Sequence, residues 1–307
     1  MTDVDKKRTD AVRVGRRPAM SSPRALLRAC RPRQWTKNLL VLVAPVASGV
    51  ITQPHGLLAA VVAVLAFGLA SAGIYLVNDV VDVEADRRHP SKRRRPVAAG
   101  ELSTRAAVLN GVVLLAAALT VAAAQSWQLL VVIAVYEAIQ LGYCLGWKNQ
   151  PVIELMCVAS GFLLRAIAGG VAVHVDLSQW FLTAAGFGAL FVAAGKRYAE
   201  SVRFAKTGAA VRPVLAAYTD TYLRFVWTMS AAVLVLTYAL WAFTIRESTG
   251  TVWSVVSTVP FLAAVLRYAV DVDGGQAGEP EEILFRDRFL LGSAAVWAVT
   301  MVAAVYL

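Results

Sequence analysis

Apolar runs of about 17–25 residues, each long enough to cross a hydrocarbon core of roughly 30 Å, follow one another from Asn38 to Leu307. They predict membrane helices near 38–53, 57–77, 106–124, 127–146, 152–173, 180–195, 225–245, 251–270 and 289–306, about nine in all. The polar positions between them alternate in kind. Arg87, Arg88, Lys92, Arg93, Arg94, Arg95 and Arg105 follow the second run, Lys148 the fourth, and Lys196, Arg197, Arg203, Lys206, Arg212 and Arg224 the sixth. Arg267, Arg286 and Arg288 flank the connection after the eighth. The intervening loops around 52–56, 125–126 and 174–179 contain no Lys or Arg, and the one after the seventh run has only Arg246. This is the positive-inside pattern, which puts the N-terminus and the basic loops in the cytoplasm and the C-terminus outside.

Composition agrees. The chain has 58% apolar and 16% charged residues and a mean hydropathy of +0.60, against roughly 45–50% and 25% in a soluble domain. A net charge of +10 would suit nucleic acid, but its confinement to alternate loops assigns it to membrane topology, and no nucleic-acid partner is expected. Cys30, Cys144 and Cys157 are scattered and read as small apolar fillers, with no disulfide framework. A polar, basic stretch precedes the first run and more runs follow it, so no cleaved leader is expected. Residues 1–24 read as a disordered basic cytoplasmic tail and 25–307 as one integral membrane catalytic domain. Arg24–Lys37 reads as a short interfacial helix, Trp35 at headgroup depth and Arg28, Arg31, Arg33 and Lys37 toward lipid phosphates, or as a plain topology anchor. Gly208–Leu223, with Tyr218 and Tyr222, is a second candidate interfacial helix.

The chemistry concentrates where the second run ends. Asn78, Asp82 and Asp86 stand at i, i+4 and i+8, one polar stripe at about 100° per residue, with Asp79 and Glu84 pointing elsewhere. Carboxylates on one stripe repel unless a cation neutralises them. Mg²⁺ suits the task, because it takes oxygen ligands from one or two carboxylates and from substrate phosphates. The alternative is a merely solvated helix end; the spacing beside so many cations favours a metal–diphosphate site. Lys92, Arg93, Arg94 and Arg95, between His89-Pro90 and Pro96, supply phosphate ligands on a proline-stiffened loop.

Arg165 lies within an apolar run and needs a polar cavity or a counter-charge. Lys196, Arg197, Tyr198 and Glu200 gather at the end of the sixth run, and Tyr143 and Lys148 border the loop after the fourth. Asp271 and Asp273 read as a solvated turn, with a second acidic site as the alternative. His55, His89 and His174 are scattered, and no spacing fits a zinc cluster, a Ser/His/Asp hydrolase or a Gly-rich phosphate loop.

At these residues the chain resembles the UbiA-type polyprenyl transferase superfamily, whose N-D-x-x-D-x-x-x-D motif matches Asn78, Asp79, Asp82 and Asp86. The resemblance runs from about Arg31 to Leu307. It implies an all-α fold of nine transmembrane helices around a central cavity open to the cytoplasm, with Mg²⁺ on a diphosphate. Aromatic prenyltransferases of the superfamily carry a second D-x-x-x-D motif after the sixth helix. Here that region reads Lys196-Arg-Tyr-Ala-Glu-Ser-Val-Arg203, cations where carboxylates are expected. That difference, together with Arg31-Pro-Arg-Gln-Trp-Thr-Lys-Asn and Leu164-Arg-Ala-Ile-Ala-Gly-Gly170, resembles the actinobacterial branch serving cell-wall arabinan synthesis. This branch moves phosphoribose from phosphoribosyl diphosphate to a polyprenyl (decaprenyl) phosphate. The resemblance implies catalytic roles for Asn78, Asp79, Asp82 and Asp86, with the metal on Asn78, Asp82 and Asp86. It implies substrate contacts among Lys37, Glu84, Lys92, Arg93, Arg95, Tyr143, Lys148, Arg165, Lys196, Arg197, Tyr198 and Glu200, and a plasma-membrane homo-oligomer, a trimer being one form. The rivals are a conventional prenyltransferase with an aromatic or lipid acceptor and a membrane transporter.

Overall fold

The computed structural model describes residues 22–207, 213–277, 283 and 286–307. Among these the chain is all helical, without strands. The helices are α1 Pro23–Ala29, α2 Val43–Ala47, α3 Pro54–Val81, α4 Val83–Arg88, α5 Thr104–Gln125, α6 Trp127–Leu145, α7 Ile153–Ala172, α8 Gln179–Thr207, α9 Asp220–Thr249, α10 Trp253–Val256, α11 Thr258–Asp273 and α12 Arg288–Tyr306. Seven segments are long and apolar enough to cross a membrane: α3, α5, α6, α7, α9, the nearly continuous α10–α11, and α12. These match seven of the nine expected runs. The sixth run lies inside α8, whose far end carries Lys196, Arg197 and Glu200.

The first run departs most from expectation. Residues Pro32–Leu42 form a 3-10 helix that passes into the short α2. Pro32 and Pro45 each remove a backbone donor, and Pro32 steers the preceding residue away from the right-handed helical region. Arg31 sits outside that region at φ +52°, so the expected Arg24–Lys37 helix breaks in two. The irregular segment is packed hard against α7: a Cβ on Gly169 would lie 1.9 Å from the Val41 carbonyl oxygen. α1 also starts at Pro23, inside the stretch expected to be tail, and buries Ala25 and Ala29. Residues 1–21 of the expected tail lie outside the described residues.

Two helical groups share the bundle. α3, α5, α6 and α7 enclose a core around Phe67, Leu129, Ile133 and Tyr136. Their backbones approach closely at Gly73, where a Cβ would meet Leu115 at 2.8 Å, the usual way for helices to pack in lipid. α8, α9 and α11 enclose a second core around Phe191, Tyr198, Leu223 and Val272. α7 packs against both α6 and α8 and joins the two groups. Ser126 alone separates α5 from α6, its hydroxyl accepting the Leu129 N–H at 3.1 Å as an N-cap. Of the expected 208–223 interfacial helix, residues 208–212 are not described. Pro213–Ala217 is a 3-10 turn with Val214 and Leu215 buried in the protein core, so the described part is docked on the bundle.

Candidate active site

α3 has 28 residues, about 42 Å at 1.5 Å per residue, more than the roughly 30 Å hydrocarbon core. Its last turns therefore reach polar surroundings, and these turns carry Asn78 and Asp79. Asp82 closes α3 and opens α4. The i to i−4 pattern nevertheless continues, Asp82 N donating to Asn78 O at 2.9 Å and Asp86 N to Asp82 O at 2.8 Å.

The expected single stripe separates into two sides. Asn78 and Asp82 face the end of α6: Cys144 Sγ donates to Asn78 Oδ1 at 3.7 Å, and Lys148 Nζ pairs with Asp82 Oδ1. Asp79 and Asp86 face the N-terminal segment and the loop after α4. Arg95 Nη1 reaches Asp86 Oδ2 at 2.7 Å and Asp79 Oδ1 at 3.3 Å, and Arg31 Nη2 pairs with the same Asp79 oxygen. Asp79, expected to point elsewhere, is thus joined to Asp86 through Arg95, because seven residues at about 100° each are close to two full turns and put both on one side of a nearly continuous helix. Asp79 Oδ2 is buried and has no hydrogen-bond partner. Glu84 is exposed on the surface and pairs with Arg87 at 2.6 Å, away from the other carboxylates.

The loop after α4 is ordered by its own turn chemistry. Lys92–Arg94 is a 3-10 turn, the Pro96 carbonyl accepts the N–H groups of Glu101 and Leu102, and Val97 and Leu102 are buried. The loop presents Arg95 inward, Lys92 half-buried, and Arg93 and Arg94 outward. At the N-terminus, Arg28 pairs with Glu101 and Arg31 turns inward over the Tyr75 ring at 4.8 Å. Arg31 is thus not the lipid-facing cation expected. Trp35 is half exposed and donates to the Cys30 carbonyl at 3.0 Å. Burial pushes the Cys30 thiol up from its ordinary pKa.

Two candidate phosphate ligands have their donors engaged inside the protein. Arg165 is buried and spends its donors on neutral oxygens: Asn38 Oδ1 at 2.9 Å, the Gly161 carbonyl at 2.6 Å, Ser71 Oγ at 2.9 Å and Tyr136 OH at 3.3 Å. It also lies over the rings of Phe67 and Tyr136. Its expected counter-charge is replaced by this cage, which ties the 3-10 segment to α3, α6 and α7. Arg197 is buried in a bidentate pair with Glu154, at 2.8 and 2.9 Å, and also touches Glu200 at 3.2 Å. Tyr198 OH accepts from Arg224 at 2.5 Å and lies 3.4 Å from Asp273 Oδ1. Lys37, Tyr143 and Lys196 are half-buried, each with an interaction inside the protein. Asp271 is buried, 3.8 Å from Arg267, whereas Asp273 is exposed and pairs with Arg224 at 3.2 Å, so only the Asp271 side of the expected solvated turn is docked.

Among the described residues no three His, Cys, Asp or Glu side chains converge on a metal-sized point. Mg²⁺ is ordinarily held by one or two carboxylates plus phosphate oxygens and water, without an all-protein cage. The donors here, amide and carboxylate oxygens with one buried carboxylate oxygen unpartnered, fit such an ion. Beside Arg165, Leu39, Leu40 and Phe162 begin an apolar cavity of about 610 Å³ that extends between α8, α9 and α12 to Tyr306. Sequence reasoning missed Arg31, Cys144 and Glu154. Glu154, a carboxylate in the first turn of an apolar run, was the one with a readable signal.

The UbiA prenyltransferase family model spans residues 39–305, and the chain belongs to that family. A UbiA homolog from Archaeoglobus fulgidus bound to GPP and Mg²⁺ has the same fold, with TM-score 0.70 and 24% identity over 92% of this chain and all of that one. Within the family, the chain is 52% identical over 284 residues to the decaprenyl-phosphate phosphoribosyltransferase of Mycobacterium tuberculosis, 91% of this chain and 94% of the relative. It is 47% identical over 298 residues to the protein of the same name from Corynebacterium glutamicum, 95% of this chain and 90% of the relative.

Proposed function

We propose that the protein transfers 5-phosphoribose from phosphoribosyl diphosphate to a polyprenyl phosphate, decaprenyl phosphate in the first instance, and releases diphosphate. The observation that carries this reading is the positive charge gathered around the acidic array: Arg31, Arg95 and Lys148 already touch its three aspartates, and half-buried Lys92 and outward Arg93 and Arg94 follow it closely in sequence. A donor with a diphosphate and a 5-phosphate, together with an anionic acceptor, calls for more cations than a prenyl diphosphate does. The names of the full-length relatives point the same way.

In this reading Asn78 and Asp82 from one side and Asp86 from the other would hold Mg²⁺, which when bound would neutralise the leaving diphosphate. A phosphate oxygen of the acceptor forms the new bond to the ribose ring carbon as the bond to diphosphate breaks. The acceptor oxygen is already anionic, so no strong general base is required. Lys148, Lys92 and Arg95 bind and orient phosphate groups, with Arg93, Lys37, Lys196 and Tyr143 at the rim. Glu84 is too far out on the surface to face the ribose, which leaves Asp79 and Glu200 to stabilise positive charge on the ring or to bind its hydroxyls. The apolar cavity takes part of the polyprenyl tail. Pro32–Ala47 and α8 supply the first and sixth of nine crossings in the plasma membrane. The acidic end opens to the cytoplasm, the C-terminus lies outside, and the chain forms a homo-oligomer, with a trimer as one form.

A conventional prenyltransferase shares the fold and the first acidic array. A transporter would need its charged groups spread across the bilayer, whereas here they gather at one end of α3. The test is purified protein with Mg²⁺ and either phosphoribosyl diphosphate plus polyprenyl phosphate, or a prenyl diphosphate plus an aromatic acid. Product from the first pair is expected; product from the second alone overturns the proposal.

A further inference from the structure

Arg95 belongs to a surface loop, yet its guanidinium is turned into the bundle, bridging Asp86 Oδ2 and Asp79 Oδ1. The two aspartate side chains are 3% and 1% exposed, and Arg95 itself is 24% exposed. Arg31 reaches the same Asp79 oxygen from the opposite side, from a backbone held at φ +52°, a conformation an L-residue adopts only when its surroundings impose it. The carbon frame around Arg95 is fixed, because Pro96, Val97 and Ala98 are buried immediately after it. Any change of partner must therefore come from side-chain rotation, which its long stem allows.

Asp86 Oδ2 already accepts from Arg95 at 2.7 Å, and a divalent cation at about 2.1 Å would have to share that oxygen with the guanidinium's positive charge. A bare cation entering here would also sit against two guanidinium groups, a repulsion that the partly buried setting leaves poorly screened. A cation that arrives with diphosphate changes the balance, since the planar guanidinium fork fits phosphate oxygens as well as it fits carboxylates. We propose that Arg95, supported by Arg31, is a tethered competitor for the metal: it holds Asp79 and Asp86 until diphosphate offers it another partner, so that the divalent cation is admitted only together with the donor's diphosphate. This deepens, and rests on, the metal–diphosphate reading of the site.

The experiment measures Mn²⁺ binding to the purified full-length protein by electron paramagnetic resonance, with and without inorganic diphosphate, for wild type, R95Q, R95K, R31Q, D82N and D86N. Wild type is expected to bind Mn²⁺ weakly alone and far more tightly with diphosphate. R95Q is expected to bind Mn²⁺ alone about tenfold tighter, as removal of a close positive charge requires. Its diphosphate-induced tightening should shrink by a similar factor, as reciprocal coupling demands. R95K, which keeps the charge but not the fork, falls between, and R31Q shifts in the same direction as R95Q and stands in for it should R95Q not fold. The proposal is overturned if R95Q, or R31Q in its place, binds Mn²⁺ alone no tighter than wild type while diphosphate still tightens binding. If D82N and D86N both bind Mn²⁺ as wild type does, the metal reading itself falls, whatever Arg95 does.

Discussion

Replacing Glu154 with Gln tests whether Arg197 is structural or a substrate ligand. The Arg197 and Glu154 side chains are 4% and 0% exposed, and two bonds of 2.8 and 2.9 Å join them. Gln keeps one acceptor oxygen and loses the charge, so Arg197 is left with Glu200 at 3.2 Å, whose side chain is 21% exposed. Breaking one partner of a buried pair costs about 3–5 kcal/mol. With Glu200 still in place the lower end applies, about 3 kcal/mol, which is roughly two orders of magnitude in the folding equilibrium. In a chain of this size that lowers the melting temperature by on the order of 5 °C. Replacing both partners, Glu154→Leu with Arg197→Met, removes both charges together and is expected to restore most of the loss. The assay is thermal unfolding of detergent-solubilised protein, with donor KM measured on the same samples. The reasoning is refuted if the double variant is as unstable as the two single losses added. It is also refuted if that variant melts like wild type but no longer binds donor, because Arg197 would then be a phosphate ligand.

Asp82→Asn should lower turnover at least about a hundredfold, by loss of the negative oxygen for Mg²⁺, with little change in melting temperature; activity retained at saturating Mg²⁺ removes Asp82 from the metal site. Asp287 caps α12, accepting the N–H groups of Phe289 and Leu290 at 2.8 and 3.0 Å, and these bonds together with Arg267 hold its carboxyl below the usual Asp range. A depressed folded pKa means that its stabilisation is present above the unfolded value near ~3.9 and is lost as pH falls through the lower folded value. Melting temperature should therefore drop on acidification through that window, and Asp287→Asn, a neutral cap, should flatten the dependence; an identical acid profile in both proteins counts against this assignment. Tyr218 OH accepts the Val152 N–H at 2.7 Å and so anchors the end of the segment that carries Lys148. Tyr218→Phe should cost about 1 kcal/mol and raise donor KM more than it lowers kcat; a change in kcat alone would show that the anchor does not position Lys148.

The membrane helices were readable because lipid imposes one strong rule, an unbroken apolar length, and seven segments obey it. The first run was misread for a reason lying outside that rule. Pro32 and Pro45 interrupt the backbone ladder locally, and whether the segment recovers as a helix depends on what it meets, here the Gly169 surface of α7. The acidic array was legible as spacing, but its partners were not, since Arg31, Arg95 and Lys148 reach it from three separate stretches of chain. A residue count of cations also cannot separate the ones that bind substrate from the ones that hold the fold. Arg165 was legible as a charge embedded in an apolar run and Arg197 as one at the end of another, and both are satisfied internally, with an oxygen cage for one and Glu154 for the other. A charge deep in the membrane must be paired before any substrate arrives, whereas one at the helix end can exchange its partners. The cations best suited to phosphate are therefore the half-exposed ones at the end of α3, and among these Arg95 and Lys148 already have carboxylates to give up.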